Sequence, residues 1–217
     1  MKTISKTILA LAAAAMISAG SAYAVPIASL TISDGTTTIV VTDGGASDSN
    51  PLSGVITWIG AIGVWNINVD TGFTKPAIGS TTNPNMDLSF AANSTALGML
   101  TLTFADSGFT FSGTAMDALG GTQGNGSVTD SVQVNGNSVL SLGPLTSNPF
   151  TGTASGGITL TPTDTLSLVL QINHTGSGMT TGDKSLTVPE GGSAVALLGI
   201  ALAGIEGVRR ALRARRA

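Results

Sequence analysis

The segment Ser29-Leu-Thr-Ile-Ser33, Asp34-Gly35, Thr36-Thr-Thr-Ile-Val-Val-Thr42 decides the fold class. Two runs rich in β-branched residues flank an Asp-Gly pair, which supplies the two positive-φ positions of a type I′ turn. The pattern therefore predicts an antiparallel hairpin. Ser131-Val-Gln-Val134, Asn135-Gly136 and Asn137-Ser-Val-Leu-Ser-Leu142 repeat the arrangement and predict a second hairpin.

Short strands are predicted along the rest of the segment 25–175. Leu100-Thr-Leu-Thr-Phe104 and Trp65-Asn-Ile-Asn-Val69 alternate apolar and polar residues, which places the apolar side chains on one face. No amphipathic helix is predicted here, so we expect an all-β fold, an antiparallel β-sandwich or jelly-roll-like domain. Apart from the two hairpins, strands are predicted at 55–59, 64–69, 87–91, 99–105, 109–112, 158–161 and 166–172, with polar loops at 43–52, 76–86 and 115–126.

The composition indicates an extracellular protein. Charged residues make up only 10% of the chain, glycine is abundant and cysteine is absent, so no disulfide contributes to stability. Between Val25 and Thr187 the only cations are Lys75 and Lys184, against ten aspartates. Nucleic acid is excluded as a partner, because phosphate binding needs clustered lysine and arginine.

The N-terminus has the three parts of a secretory signal peptide, predicted at 1–24. Lys2 and Lys6 precede the apolar run Ile8–Ile17, and Ala22-Tyr23-Ala24 forms a small-x-small cleavage site. This predicts Sec-type export and cleavage by signal peptidase between Ala24 and Val25. An uncleaved anchor helix is the alternative, although the apolar run is short for a membrane span.

The C-terminus has a different three-part pattern, at 188–217. A short motif with one proline comes first, then the apolar stretch 193–208, and then a basic end at 209–217. The stretch 193–208 is predicted to be a transmembrane helix with the basic end held on the cytoplasmic side. The motif residues are Val188, Pro189, Glu190, Gly191 and Gly192, and the basic residues are Arg209, Arg210, Arg213, Arg215 and Arg216.

This tail resembles the sorting tails of the PEP-CTERM class, and especially their VPDSG variant. The resemblance implies an exosortase, a membrane-embedded cysteine transpeptidase-like enzyme, as partner. It also implies export by a bacterium that makes exopolysaccharide and biofilm. Gly191 stands where the name-giving motif has its second proline, and Glu190 where the variant has aspartate. A permanent single-span anchor is the alternative. The segment 176–187 is predicted to be a linker between domain and tail.

The sequence contains no recognisable catalytic motif, and we predict that the protein is not an enzyme. His174 is the only histidine available as a general base, and its place in Asn173-His174-Thr175 favours an exposed strand end. The nucleophile elbow and the phosphate-binding glycine motifs are missing. Asp70, Asp87 and Asp106 lie near predicted strand ends, but the sequence does not bring any two together as a glycosidase requires.

Two binding chemistries remain open. The loop Asp43-Gly-Gly-Ala-Ser-Asp48-Ser-Asn50 carries oxygen ligands suitable for calcium, although aspartate is also a turn residue in its own right. Trp58 and Trp65 are candidates for stacking on sugars, and core packing is the simpler interpretation. No cofactor is predicted apart from this possible calcium.

We therefore expect an exported, exosortase-sorted protein of the cell surface or extracellular matrix, structural or adhesive in role. It would be held transiently in the inner membrane by its C-terminal helix, with exopolysaccharide as a possible partner. A calcium- or carbohydrate-binding module is the alternative, and a polysaccharide-active enzyme is a third hypothesis.

Overall fold

The structure is a computed structural model that describes residues 28–189 and the single positions 202 and 205, without the side chains of residues 68–70. The predicted signal peptide, with Ala22 and Ala24, lies outside the described residues. So do Glu190, Gly191, Gly192, the basic end 209–217 and, apart from positions 202 and 205, the predicted helix 193–208. Within the described part of the chain, no helix has the length and apolar character needed to cross a membrane.

The described chain is all-β, and it forms twelve strands. They are β1 Ser29–Ser33, β2 Thr38–Thr42, β3 Val55–Ile62, β4 Trp65–Phe73, β5 Met86–Ser94, β6 Gly98–Ser107, β7 Phe111–Gln123, β8 Gly126–Val134, β9 Asn137–Leu145, β10 Phe150–Leu160, β11 Thr165–His174 and β12 Gly178–Thr187.

The strands form two antiparallel sheets that enclose one apolar core, as in a β-sandwich. The first sheet has the order β2-β1-β6-β11-β8-β9, and the second has the order β10-β7-β12-β5-β4-β3. Alternate residues of each strand point inward, so that Leu102 and Phe104 of the first sheet and Leu88 of the second are buried. A Cβ added to Gly72 of β4 would lie 2.7 Å from the Phe104 ring, so the sheets approach closely there.

The two predicted hairpin turns have different outcomes. Asn135 (φ 52°) and Gly136 (φ 79°) form a two-residue turn between β8 and β9, with Val134 paired to Asn137. The type I′ prediction is confirmed there. At Asp34-Gly35 it is wrong, because Asn135 is the only non-glycine residue with positive φ in residues 28–189.

The side chain of Asp34 explains the other turn. Its Oδ1 accepts hydrogen bonds from the backbone N–H groups of Thr37 at 2.7 Å and Thr36 at 2.9 Å. These bonds, from Thr37 first and Thr36 second, hold the pKa of Asp34 below its usual value. The hairpin itself is confirmed, with Ser33 paired to Thr38 across a four-residue loop. Hydrogen bonds from the aspartate side chain thus stabilise a four-residue loop here, instead of the two-residue type I′ turn that the Asp-Gly pair predicts.

The predicted loop at 115–126 is wrong. Strand β7 continues to Gln123, and its residues Phe111 to Gly121 pair with the whole of β10. Glycine usually weakens or interrupts a strand, but in β7 the absence of a side chain lets neighbouring atoms pack closely against the backbone. A Cβ on Gly121 would lie 2.7 Å from the Phe150 ring. The loops predicted at 43–52 and 76–86 are confirmed, since they connect β2 to β3 and β4 to β5.

The predicted linker at 176–187 is also wrong, and so is the domain end at 175. Residues Gly178–Thr187 form β12, which lies inside the second sheet and pairs with β7 on one side and β5 on the other. The sequence of this segment does not predict a strand, because Lys184 occupies an inward position where the alternating pattern would have an apolar residue. Thr180 and Leu186, which share the inward face of β12 with Lys184, are also fully buried.

Candidate functional site

The predicted sorting motif begins where the second sheet ends. Thr187, the last residue of β12, pairs with Met116 of β7. Val188 is half-buried against the core, and Pro189 is exposed. The predicted motif therefore follows the folded domain without a spacer, and of its two described residues Pro189 is the exposed one.

The carboxylates of the predicted calcium loop are engaged by the loop's own backbone. Oδ1 of Asp48 accepts from the N–H groups of Asn50 and Thr57, each at 3.0 Å. Oδ2 of Asp43 accepts from Gly54 N–H at 2.8 Å. The described side chains of residues 28–67 and 71–189 include no group of three carboxylates or imidazoles arranged to hold a metal ion. Calcium binding at this loop stays a prediction.

A cleft of about 790 Å³ lies beside the calcium loop, between the β2–β3 and β4–β5 connections. Its wall includes Asp43, Pro51, Lys75 and Ser80. The Lys75 ammonium lies 2.7 Å from Asp106 Oδ2 and 4.1 Å from the centroid of the Phe109 ring. Lys75 is therefore tied to the base of the cleft and has little freedom to reach a ligand.

Of the three aspartates considered for sugar chemistry, the two whose side chains are described, Asp87 and Asp106, do not converge. Asp106 is buried in β6 and accepts hydrogen bonds from Lys75 Nζ and from Thr74 Oγ1. Asp87 lies on the outer face of β5 in the other sheet. The side chain of Asp70 is outside the described part of the chain.

Asp87 instead faces an aspartate that the sequence did not single out. In the register of β5 and β12, Asp87 pairs with Ser185 and Asp183 pairs with Ser89, so the two carboxylates are diagonal neighbours on the same face. Burial, followed by the charge of Asp183, raises the pKa of Asp87 to about 6. A pair of this kind can share a proton or attract a cation.

The prediction that His174 is exposed is wrong. Its ring is buried between the sheets, 4.8 Å from the Trp65 ring by centroids. Nδ1 lies 2.6 Å from Ser94 Oγ, and Nε2 lies 2.7 Å from Thr180 Oγ1. A serine beside a histidine resembles a nucleophile with its base, but Ser94 is only 2% exposed, so a substrate does not reach it. The core interpretation of Trp65 is confirmed, and Trp58 packs half-buried against the same core.

Sequence reasoning missed a buried charge cluster formed by Lys184, Asp117 and Asp130. Lys184 donates to Oδ1 of both aspartates, at 2.9 Å to Asp117. Burial raises the pKa of Asp130 to about 7, against the opposing effect of the Lys184 charge. The sequence did contain one indication of this cluster. Asp130 lies between Val128 and Val132 at the spacing of two that places all three side chains on the buried face of β8.

The two ion-pair systems leave the surface of the domain without a free lysine. Lys75 and Lys184 are the only lysines or arginines in residues 28–189, and each is paired with aspartate inside the fold. The exposed charges in this range are therefore carboxylates. The surface also carries small hydroxyl residues, such as Thr122 and Thr181, whose hydroxyls are 2.9 Å apart, and exposed apolar side chains such as Ile59 and Leu97.

Comparison with known proteins gives no family assignment. No family model matches the chain, and no curated protein matches it. Among solved structures, the GH31 alpha-xylosidase from Xanthomonas citri is similar over 76% of this chain, with 10% sequence identity and a TM-score of 0.23. This chain covers 16% of the length of that enzyme. A likeness this low carries no argument about activity.

Proposed function

We propose that the protein is an exported, non-enzymatic structural or adhesive component of the cell surface or extracellular matrix. An N-terminal signal peptide directs its export across the inner membrane. The tail 188–217 then holds it in that membrane until it is sorted to the surface. The domain between them is a jelly-roll-like β-sandwich, flanked by the signal helix and the transmembrane helix 193–208. Its partners are the Sec-type export machinery, signal peptidase and an exosortase-like membrane enzyme.

The junction between β12 and Pro189 carries this proposal. Because β12 is an interior strand of its sheet, the domain is complete only when residue 187 has joined it. The exposed Pro189 comes two residues later, and proline disfavours helix in the residue before it. An extended, accessible segment between a finished domain and a membrane helix is what a sorting enzyme needs to reach the backbone.

The surface of the domain supports a place in a polysaccharide matrix. Both lysines are held in ion pairs with aspartate, so the charges on the exterior of residues 28–189 are carboxylates, which lie among hydroxyl groups and scattered apolar side chains. Excess charge of one sign keeps such a surface soluble and separate from other copies. Hydroxyl side chains on both sheets offer hydrogen bonds to exopolysaccharide, which we include as a partner.

The test is substitution of Pro189 and Glu190 by alanine in the exporting cell. If the tail is a sorting signal, the double variant accumulates uncleaved in the inner membrane, while the natural protein loses its tail and reaches the surface. Pro51 and Leu52, both exposed in the β2–β3 loop, give a matched control pair for alanine substitution. Equal tail removal in both variants would show that 188–217 is a simple anchor.

The cleft beside Asp43 favours a second candidate function, a calcium- or carbohydrate-binding module. It is the place where loop oxygens and about 790 Å³ of open space occur together. A ligand that binds only the folded state raises the melting temperature by mass action. We expect millimolar calcium to raise it relative to chelator and Asp43→Asn to abolish the rise; unchanged melting contradicts this candidate.

A further inference from the structure

Lys184, Asp117 and Asp130 meet in the core between the two sheets. Lys184 lies on β12 and Asp117 on the neighbouring strand β7 of the second sheet, whereas Asp130 lies on β8 of the first sheet. Lys184 Nζ contacts Asp130 Oδ1 and lies 2.9 Å from Asp117 Oδ1. The side chains of all three residues are 0% exposed.

The surroundings of this cluster are apolar. Lys184 is paired in register with Leu119 on one side and Leu88 on the other. Asp130 is paired with Leu170 and Leu142 in the first sheet. The long lysine side chain reaches across the gap between packed sheets, which is about 10 Å, so its amine arrives at the carboxyl group of the opposite sheet.

As three ions, the cluster is poorly compensated. One ammonium and two carboxylates leave an uncompensated negative charge in an apolar site, which is costly. In addition, Asp117 Oδ2 and Asp130 Oδ2 are buried and have no hydrogen-bond partner in the described part of the chain. Buried acceptors left unsatisfied also carry a free-energy penalty. The arrangement therefore favours chemistry that removes charge.

We propose that Lys184 and Asp130 form an intramolecular isopeptide bond, an amide between Nζ and the side-chain carbonyl carbon Cγ, with Asp117 carrying the proton during the reaction. The inference does not depend on the proposed sorting function. It assigns a covalent modification site to the interior of the sandwich.

The atoms balance without any external reagent. A proton passes from the Lys184 ammonium to the Asp130 carboxylate, which gives a neutral amine and a neutral carboxylic acid. The Nζ lone pair attacks Cγ of Asp130 and forms a tetrahedral intermediate. Asp117 accepts a proton from Nζ and donates it to the departing hydroxyl group, so the C–O bond breaks, one water leaves and Asp117 returns to its starting state.

Three physical factors favour the amide. The reacting groups are held in contact, and well-oriented intramolecular reactions have effective molarities of about 10⁵–10⁸ M. The proton transfer and the condensation turn a buried ion pair into neutral groups, which an apolar site prefers. The raised pKa of Asp130, caused mainly by burial, keeps its protonated form accessible.

The other lysine supplies a comparison within the same chain. Lys75 also contacts an aspartate, Asp106, but its side chain is 13% exposed and it donates to the carbonyl of Ser107 as well. Asp106 accepts from Thr74 and from its neighbour's N–H, so its oxygens are satisfied. Lys75 lacks a second carboxylate among its described contacts, and we expect it to stay an ion pair.

The bond has a structural consequence for the C-terminus. It ties β12 of the second sheet to β8 of the first. Because β12 leads directly into 188–217, a pull on the tail is transmitted to a strand that is hydrogen-bonded within the second sheet and covalently fixed to the first. The non-covalent contacts of β12 alone would allow it to be peeled away from β5 and β7.

Digestion of the denatured full chain with trypsin tests the proposal. Trypsin cleaves after lysine, but an acylated Nζ at Lys184 blocks that site, and Pro76 already protects the bond after Lys75. We expect the natural chain to resist cleavage after Lys184. Mass spectrometry should find the peptide that contains Asp130 and Lys184 lighter by one water molecule, with fragmentation assigning the cross-link.

Variants separate the roles of the three residues. Asp130→Ala and Asp117→Asn should each restore cleavage after Lys184 and the full mass, the first by removing the carbonyl partner and the second by removing the proton carrier. Lys75→Arg, at the other ion pair, should keep the mass deficit. Full mass and complete cleavage of the natural chain, after long incubation in the folded state, would overturn the bond. A cross-link retained in Asp117→Asn would overturn the role of Asp117.

Discussion

His174 Nδ1 of the first sheet lies 2.6 Å from Ser94 Oγ of the second. The opposite ring nitrogen lies 2.7 Å from Thr180 Oγ1 on β12. One ring nitrogen donates and the other accepts in a neutral imidazole, so both sites are satisfied without a charge. This histidine therefore joins β11 to β5 and β12 between the two sheets, where β11 and β5 end.

Replacement of His174 by alanine should lower the free energy of unfolding by about 2 kcal/mol or more, because it leaves the buried Thr180 hydroxyl without its partner and opens a cavity. Urea unfolding followed by circular dichroism measures the change. Unaltered stability would contradict the assignment of His174 as a structural bridge.

His174 should also make stability depend on pH. Burial lowers the pKa of His174 in the folded state, so the unfolded chain binds the proton more readily. The stabilisation is present above the unfolded value of about 6.5 and is lost as the pH falls below it. His174→Gln, which keeps a neutral polar group, should lack this component when the two chains are compared between pH 7 and pH 5.

The pair Asp87 and Asp183 predicts a pH effect of the opposite sign. The pKa of Asp87 is raised to about 6, so its contribution favours the folded state at low pH and is lost as the pH rises through about 6. Asp87→Asn removes the charge that burial and Asp183 disfavour, so it should stabilise the protein above that pH. The gain should be only about 1 kcal/mol, because solvent screens the repulsion on this half-exposed face.

A smaller effect of the same sign should appear when Asp183 is changed. Asp183→Asn removes the repulsion but leaves the burial of Asp87, so it should stabilise less than Asp87→Asn, and the double variant should gain little more than Asp87→Asn alone. Full additivity of the two changes, measured by thermal unfolding at pH 8, would mean that the carboxylates do not interact.

Removal of β12 should prevent folding of the domain. A chain ending at residue 175 lacks the strand between β7 and β5 and leaves both with unpaired backbone groups. We expect such a chain to aggregate or to give a disordered spectrum in circular dichroism, whereas a chain ending at 189 keeps the strand and folds. Equal β content in the two chains would contradict the placement of β12.

Gly72 should be intolerant of any side chain. A Cβ there would lie 2.7–2.9 Å from three ring atoms of the buried Phe104, and overpacking of this kind costs about 1–3 kcal/mol. Gly157 on β10 is the matched control, since its added Cβ meets nothing within 4 Å. Chemical unfolding of Gly72→Ala and Gly157→Ala compares the two; equal stability would contradict the close approach of the sheets.

Local sequence patterns determined most of the strands and the fold class. In β6 the alternation places Leu100, Leu102 and Phe104 inward whatever their partners are, because side chains of a strand alternate between faces. The Asn135-Gly136 turn is likewise local, since both residues readily adopt positive φ. The signal peptide and sorting tail are patterns of the same local kind, and they stay predictions because their residues lie largely outside the described part of the chain.

The tertiary structure decided the features that depend on a distant partner. Gly178–Thr187 resembled a linker because Lys184 occupies an inward position, and a buried lysine is tolerated only where Asp117 and Asp130 come to it from other strands. The sequence predicts that His174 is exposed, because its hydrogen-bond partner Ser94 lies 80 residues away in the chain and local patterns do not show that the two residues meet. A sequence specifies which groups are available for such contacts, but their pairing is set by strand register and sheet packing, which emerge only when the whole domain is assembled.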